Sequence, residues 1–92
     1  MSLYKIEFTP VAVKTLSKYK KSNPAQYKKL AKLLHELMDH PRTGTGHPEP
    51  LKSGDLITYS RRISKNDRLI YDIYEESVTV LVLTVEGHYD DK

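Results

Sequence analysis

Three prolines punctuate the first half of this chain, and their placement dictates a helical hairpin. Pro10 follows Thr9, and Pro24 follows Asn23. Each of the two therefore stands at a first helical position, directly after a side chain able to cap it. There the missing N–H costs nothing and the fixed φ is already helical. After the first start, Ala12, Val13, Leu16 and Tyr19 recur at helical spacing, with Lys14, Lys18 and Lys21 on another face. After the second, Tyr27, Leu30, Ala31, Leu34, Leu37 and Met38 follow the i, i+3, i+4, i+7 pattern, and Pro41 stops it. Ahead of the hairpin, Tyr4, Ile6 and Phe8 alternate with Lys5 and Glu7, which reads as a half-buried strand.

The second half has the other period. A polar loop rich in Gly and Pro covers Pro41–Lys52, and three strand-like stretches follow: Leu56–Ile63, Arg68–Tyr74 and Ser77–Glu86. The connections Ser64–Asp67 and Glu75–Glu76 are short, so these strands are expected to be antiparallel neighbours. The order of elements predicts an α+β domain: an N-terminal strand and a two-helix hairpin packed on one face of a four- to five-stranded antiparallel sheet. With 92 residues and no repeat or linker, residues 1–92 are expected to form a single domain. Cysteine is absent, which excludes disulfides and thiolate chemistry. No apolar run approaches the roughly 20 residues of a membrane span, and residues 1–9 lack a signal-peptide core. The expected location is the cytoplasm, with no membrane partner.

Charge narrows the partner class. Residues 1–40 carry eight lysines against Glu7, Glu36 and Asp39, whereas residues 41–92 carry seven Lys and Arg against nine Asp and Glu. A basic half suits a polyanion, although a solvated lysine face would carry the same signature. Two apparent motifs fail on spacing. His35-Glu36-Leu37-Met38-Asp39-His40 puts its histidines five apart, off a shared helix face, so no metal site is expected. Gly44-Thr45-Gly46 follows a helix and lacks the third glycine of a nucleotide loop. Ser60 and Ser64 have no base at a nucleophile elbow.

The remaining polar residues suggest acid–base and phosphate chemistry. Glu49 lies between Pro48 and Pro50, which stiffen the backbone around a carboxylate. Arg61 and Arg62 are consecutive on a strand and so face opposite sides of the sheet, with Thr58 and Ser60 on the Arg62 side. Arg68 opens the next strand. His88 and Tyr89 follow the last one. Taken singly, Glu49 reads equally as a solvated loop residue, and each arginine as a salt-bridge partner, for instance of Glu75 or Glu76.

Taken together, they resemble one family. Gly44-Thr45-Gly46-His47-Pro48-Glu49-Pro50-Leu51-Lys52 is similar to the G-x-G-x-P-E-P-L-K loop of the YoeB (Txe) branch of the RelE-like toxins. Tyr59-Ser60-Arg61-Arg62-Ile63, Arg68-Leu69-Ile70-Tyr71 and His88-Tyr89 resemble the family's next three motifs, in order and spacing. The chain departs from the pattern in its Ser53–Thr58 segment, in the length between Arg68 and His88, and in the Asp90-Asp91-Lys92 extension.

The resemblance implies a RelE-like, microbial-RNase-like fold. It also implies the toxin of a type II toxin–antitoxin pair, a ribosome-dependent, metal-independent endoribonuclease (mRNA interferase) that needs no cofactor. On the matched positions Glu49 is implied as general base and His88 as general acid. Arg62, Arg68 and Lys52 are implied to hold the phosphate, and Tyr89 to orient the substrate. The implied partners are a cognate acidic antitoxin of the YefM/Phd type, the ribosome and mRNA, with a homodimer as a further assembly. Two other classes remain open at this point: a non-enzymatic ParE-like toxin acting on DNA gyrase, and a basic RNA- or protein-binding module.

Overall fold

Both capping side chains act as their positions predict. In the computed structural model, which describes residues 3–44, 46, 48–51, 57–65 and 67–87, the Ala12 N–H donates to Thr9 Oγ1 (3.1 Å) and the Gln26 N–H to Asn23 Oδ1 (3.3 Å). These caps open α1 (Pro10–Ser22) and α2 (Pro24–Leu37). The stripes are narrower than the spacing predicted, and one is rotated. Ala12 is buried with Leu16 and Tyr19 packed behind it, but Val13, a quarter turn away, is 51% exposed. On α2 the buried line is Leu30, Leu33 and Leu37, while Ala31 is exposed. Leu33, which the sequence pattern left out, is buried, and Leu34 packs half-buried against the core as the pattern expected.

Five strands follow the chain as β1 (Lys5–Phe8), β2 (Glu49–Pro50), β3 (Thr58–Arg62), β4 (Asp67–Tyr74) and β5 (Thr79–Gly87). Their order across the sheet is β1-β5-β4-β3-β2. The three C-terminal strands form the expected antiparallel meander. The sheet is nevertheless mixed, which corrects the expectation of an all-antiparallel one: β1 pairs with β5 in parallel, Ile6 level with Val80. Short connections force antiparallel pairing, but β1 and β5 are separated by everything between them, and the helices supply the long crossover that a parallel pair requires. β2 is also unexpected. The segment predicted as loop pairs Glu49 with Ser60 and Pro50 with Tyr59 across the outer edge of β3.

One face of this sheet meets the helices. Tyr59, Ile63, Leu69, Tyr71, Ile73, Val80, Val82 and Val85 join Ala12, Leu30, Leu33 and Leu37 in the core. The run Val80, Val82, Val85 breaks strict alternation because β5 carries one extra residue opposite Ile70/Tyr71. That residue, Leu83, turns its carbonyl to the Thr9 hydroxyl (2.6 Å), so the bulge and the α1 cap are joined. At the other end of the hairpin, Gln26 Nε2 donates to Ser64 Oγ (2.8 Å) and Asp67 Oδ2 (2.6 Å), tying α2 to the β3–β4 turn. The opposite face carries Thr58, Ser60, Arg62, Arg68, Ile70 and Asp72. No helix among the described residues is long and apolar enough to cross a membrane.

Candidate active site

Strand register fixes which functional side chains can meet. Arg62 and Arg68 are direct cross-strand partners in β3 and β4, so their side chains leave the same face side by side. In the adjacent row, two residues along, Glu49, Ser60 and Ile70 are aligned across β2, β3 and β4. Glu49 is thus diagonal to Arg62 on one sheet face. Gly46, Glu49, Ser60, Arg62 and Arg68 together line a small cleft. Glu49, Arg62 and Arg68 are exposed, and Ser60 forms the buried floor. Among the described residues the ion pairs are Arg42–Glu75 and Arg61–Glu36, so neither cleft arginine belongs to one. Lys52, His88 and Tyr89, the other three residues assigned by resemblance, lie outside the described residues. The chain reaches His88 from Gly87, which pairs with Asp67 one residue from Arg68.

Glu49 is placed by a strand and not by its prolines alone. The Arg62 N–H donates to the Gly46 carbonyl (2.7 Å), and the Leu51 N–H donates to the Thr58 carbonyl (2.8 Å), so β3 holds the chain on both sides of Glu49. The close approach explains Gly46. It lies at φ +89°, and a Cβ there would meet the Arg62 carbonyl oxygen at 2.4 Å.

The two arginines of β3 have opposite fates, as alternation predicts. Arg62 faces the cleft, whereas Arg61 is wholly buried under the helices. Arg61 Nη1 donates to Glu36 Oε1 (2.7 Å), and Nη2 to the carbonyls of His40 (2.7 Å) and Thr43 (2.8 Å). Its partner is therefore Glu36, not the Glu75 or Glu76 that the sequence suggested, because those acids lie at the β4–β5 turn. Glu75 is taken by Arg42 and by the Tyr4 hydroxyl (2.7 Å). That tyrosine bond first, and then Arg42, hold the Glu75 carboxyl below its ordinary range. The same bond pushes the Tyr4 phenol up. The sequence pattern carried no signal for Glu36, because the stripe read from it omitted Leu33, the buried residue three positions before Glu36. Within His35–His40, no described group of three acids or histidines is placed to hold a metal.

The family described as YoeB-like toxin of bacterial type II toxin–antitoxin systems matches residues 8–89. The toxin YoeB of Escherichia coli K12 is 36% identical over 62 residues, 67% of this chain and 71% of that protein. A YoeB/ParE toxin from Agrobacterium tumefaciens superposes with a TM-score of 0.82 at 25% identity, covering 92% of this chain and 99% of that one. The YoeB of Staphylococcus aureus is similar both as a dimer (TM-score 0.80, 28% identity, 96% of this chain and 100% of that one) and in complex with YefM (TM-score 0.78, 30% identity, 94% and 98%).

Proposed function

Because the chain belongs to the YoeB-like toxins of bacterial type II toxin–antitoxin systems, we propose that it is a metal-independent endoribonuclease that cuts mRNA on the ribosome, in the cytoplasm. The observation that carries this reading is the cleft in which Glu49, Arg62 and Arg68 converge on one sheet face. Two guanidinium groups set side by side repel one another unless an anion lies between them, and a phosphodiester is such an anion.

RNA brings its own nucleophile, the 2′-OH beside the scissile phosphate. Glu49 takes the 2′-OH proton as the oxygen attacks phosphorus. The bond from phosphorus to the 5′ oxygen breaks, and His88 gives that oxygen a proton. The products are a 2′,3′-cyclic phosphate and a 5′-OH end. Charge that builds on the non-bridging oxygens is met by Arg62 and Arg68, with Lys52 assisting and Tyr89 orienting the substrate. Each proton transfer contributes typically ~10²–10⁴-fold, and fixed guanidinium groups strengthen the transition state further. On this reading the ribosome supplies the sequence context. The partner that restrains the enzyme is a cognate acidic antitoxin, of the kind named in the YefM complex of the S. aureus relative.

The test is cleavage of mRNA on translating ribosomes. Glu49→Gln keeps the shape and removes the base, and the rate should fall by ~10²-fold or more. A 2′-deoxy nucleotide before the scissile bond should abolish cutting, and EDTA should not affect it. Cleavage of the deoxy substrate, or full activity of Glu49→Gln, would end this mechanism.

A further inference from the structure

We propose that Arg61, although it faces away from the cleft, is a positioning residue for cleavage: it fixes the segment from the end of α2 to Glu49, and so sets where that carboxylate stands. The inference rests on the reading of Glu49 as the base. Several of the described residues that leave α2 are fastened, and Arg61 holds two of their carbonyls directly. Its guanidinium holds the carbonyls of His40 and Thr43 and the carboxylate of Glu36. Tyr71, whose ring lies 5.9 Å from the Arg61 guanidinium, donates its hydroxyl to the Pro41 carbonyl between them (2.7 Å). Arg42 is paired with Glu75 and lies 5.8 Å over the Tyr59 ring.

The two glycines continue the fastening. Gly44, at φ +106°, leaves room for the same Glu36 carboxylate, which a Cβ would meet at 2.8 Å. Gly46 packs against the stem of Arg61 itself, whose Cγ would lie 2.7 Å from a Cβ there. Two residues of chain then separate Gly46 from Glu49.

Stability alone gives little reason for this arrangement. Taking a guanidinium and a carboxylate out of water costs several kcal/mol per ion, and well-packed apolar residues in their place are often no less stable. The Arg61 Nε–H, moreover, is buried with no acceptor among the described residues. What the fork supplies that apolar groups do not is direction: one planar donor group addresses three acceptors on a helix and a loop. Adjacency on β3 adds a second consequence. Arg62 reaches the phosphate side and Arg61 the loop side, so the Arg61–Arg62 dipeptide ties the position of the base to that of the anion clamp.

A misplacement of about 1 Å is enough to cost ~10²-fold in rate. The experiment measures single-turnover mRNA cleavage on ribosomes by Arg61→Lys, alone and combined with Glu49→Gln. Arg61→Lys should lower kcat by about 10- to 100-fold while KM moves by less than about twofold. In the Glu49→Gln background the same substitution should lower the rate by no more than about threefold, because its route to the chemistry has already been removed. A merely structural role would instead reduce activity with the folded fraction and multiply in both backgrounds. Gly44→Ala, which disturbs the loop and the Glu36 contact without touching the core, should show the same non-additivity, and it decides the question if Arg61→Lys does not fold. Unchanged cleavage by a folded Arg61→Lys, or losses that multiply, would overturn the proposal and leave Glu49 as the base. Full cleavage by Glu49→Gln alone would remove both.

Discussion

Arg62 and Arg68 stand opposite each other across β3 and β4, a pairing that selection for stability alone would avoid. Like charges directly opposed cost a few tenths to about 1 kcal/mol. Arg68→Ala should therefore leave the thermal midpoint unchanged or raise it, while cleavage falls by ~10²-fold or more. Arg68→Lys should restore little, since a point charge does not replace the planar fork. A lowered midpoint on Arg68→Ala would mean that the arginine holds the sheet together. Tyr71 gives a prediction in pH. Burial pushes its phenol up, so the fold prefers the neutral form. That contribution is fully present below the ordinary tyrosine value near 10 and is lost as pH rises through the higher folded-state value. Chemical denaturation between about pH 8 and pH 12 should show a decline at the alkaline end that is smaller in Tyr71→Phe. At neutral pH that variant should be less stable by about 1 kcal/mol, because the Pro41 carbonyl loses its donor. An identical alkaline decline in both proteins would assign it to other tyrosines. At this scale the sequence was partly legible. Alternation separated Arg61 from Arg62 and grouped Ser60 with Arg62, but it could not name Glu36 as the partner of Arg61, because that depends on how far α2 turns over the sheet.

Elements were most legible where local chemistry determines them. Thr9-Pro10 and Asn23-Pro24 marked both helix starts, and strand-like stretches between short polar turns marked β3, β4 and β5 within a few residues. β2 was invisible, since a strand of two residues, one of them proline, has no period to read. It exists because β3 offers it partners on either side of Glu49. The parallel β1–β5 pair was misread for a related reason: pairing between distant segments is decided by the assembled sheet. The β4–β5 connection also departs from its simple reading. Val78 adopts φ +49°, a region costly for a β-branched side chain, by roughly 1–2 kcal/mol. Asparagine tolerates that conformation, so Val78→Asn should raise the thermal midpoint, by about 4–8 °C for each kcal/mol regained. A lowered midpoint would show that the half-buried Val78 side chain contributes more through packing than its backbone loses.

On the scale of the whole molecule, charge and shape suit the proposed antitoxin partner. An open groove of about 710 Å³ runs between α2 and the end of β3, with Tyr27, Ala31, Leu33 and Ile63 along it and Lys28, Lys29 and Lys32 at its rim. Arg62 borders both this groove and the cleft. An acidic, amphipathic antitoxin segment laid there meets apolar contacts and cations together, and reaches a residue of the proposed anion clamp. Reversing two rim charges, Lys28→Glu with Lys32→Glu, should slow association with the cognate antitoxin by about tenfold at low salt, and the effect should shrink as salt is raised. Association that ignores both the reversal and the salt would place the encounter elsewhere.

The parallel seam between β1 and β5 has a consequence in time. Residues 5–8 leave the ribosome well before their partners, residues 79–82, so the sheet closes only once β5 has been made. Arg68, too, lacks its β5 neighbour at residue 86 until then. Domains whose contacts span the sequence gain little from folding early. If the chain has the activity proposed above, that activity too waits for β5, because the strand carrying Arg68 has no partner on that side before it.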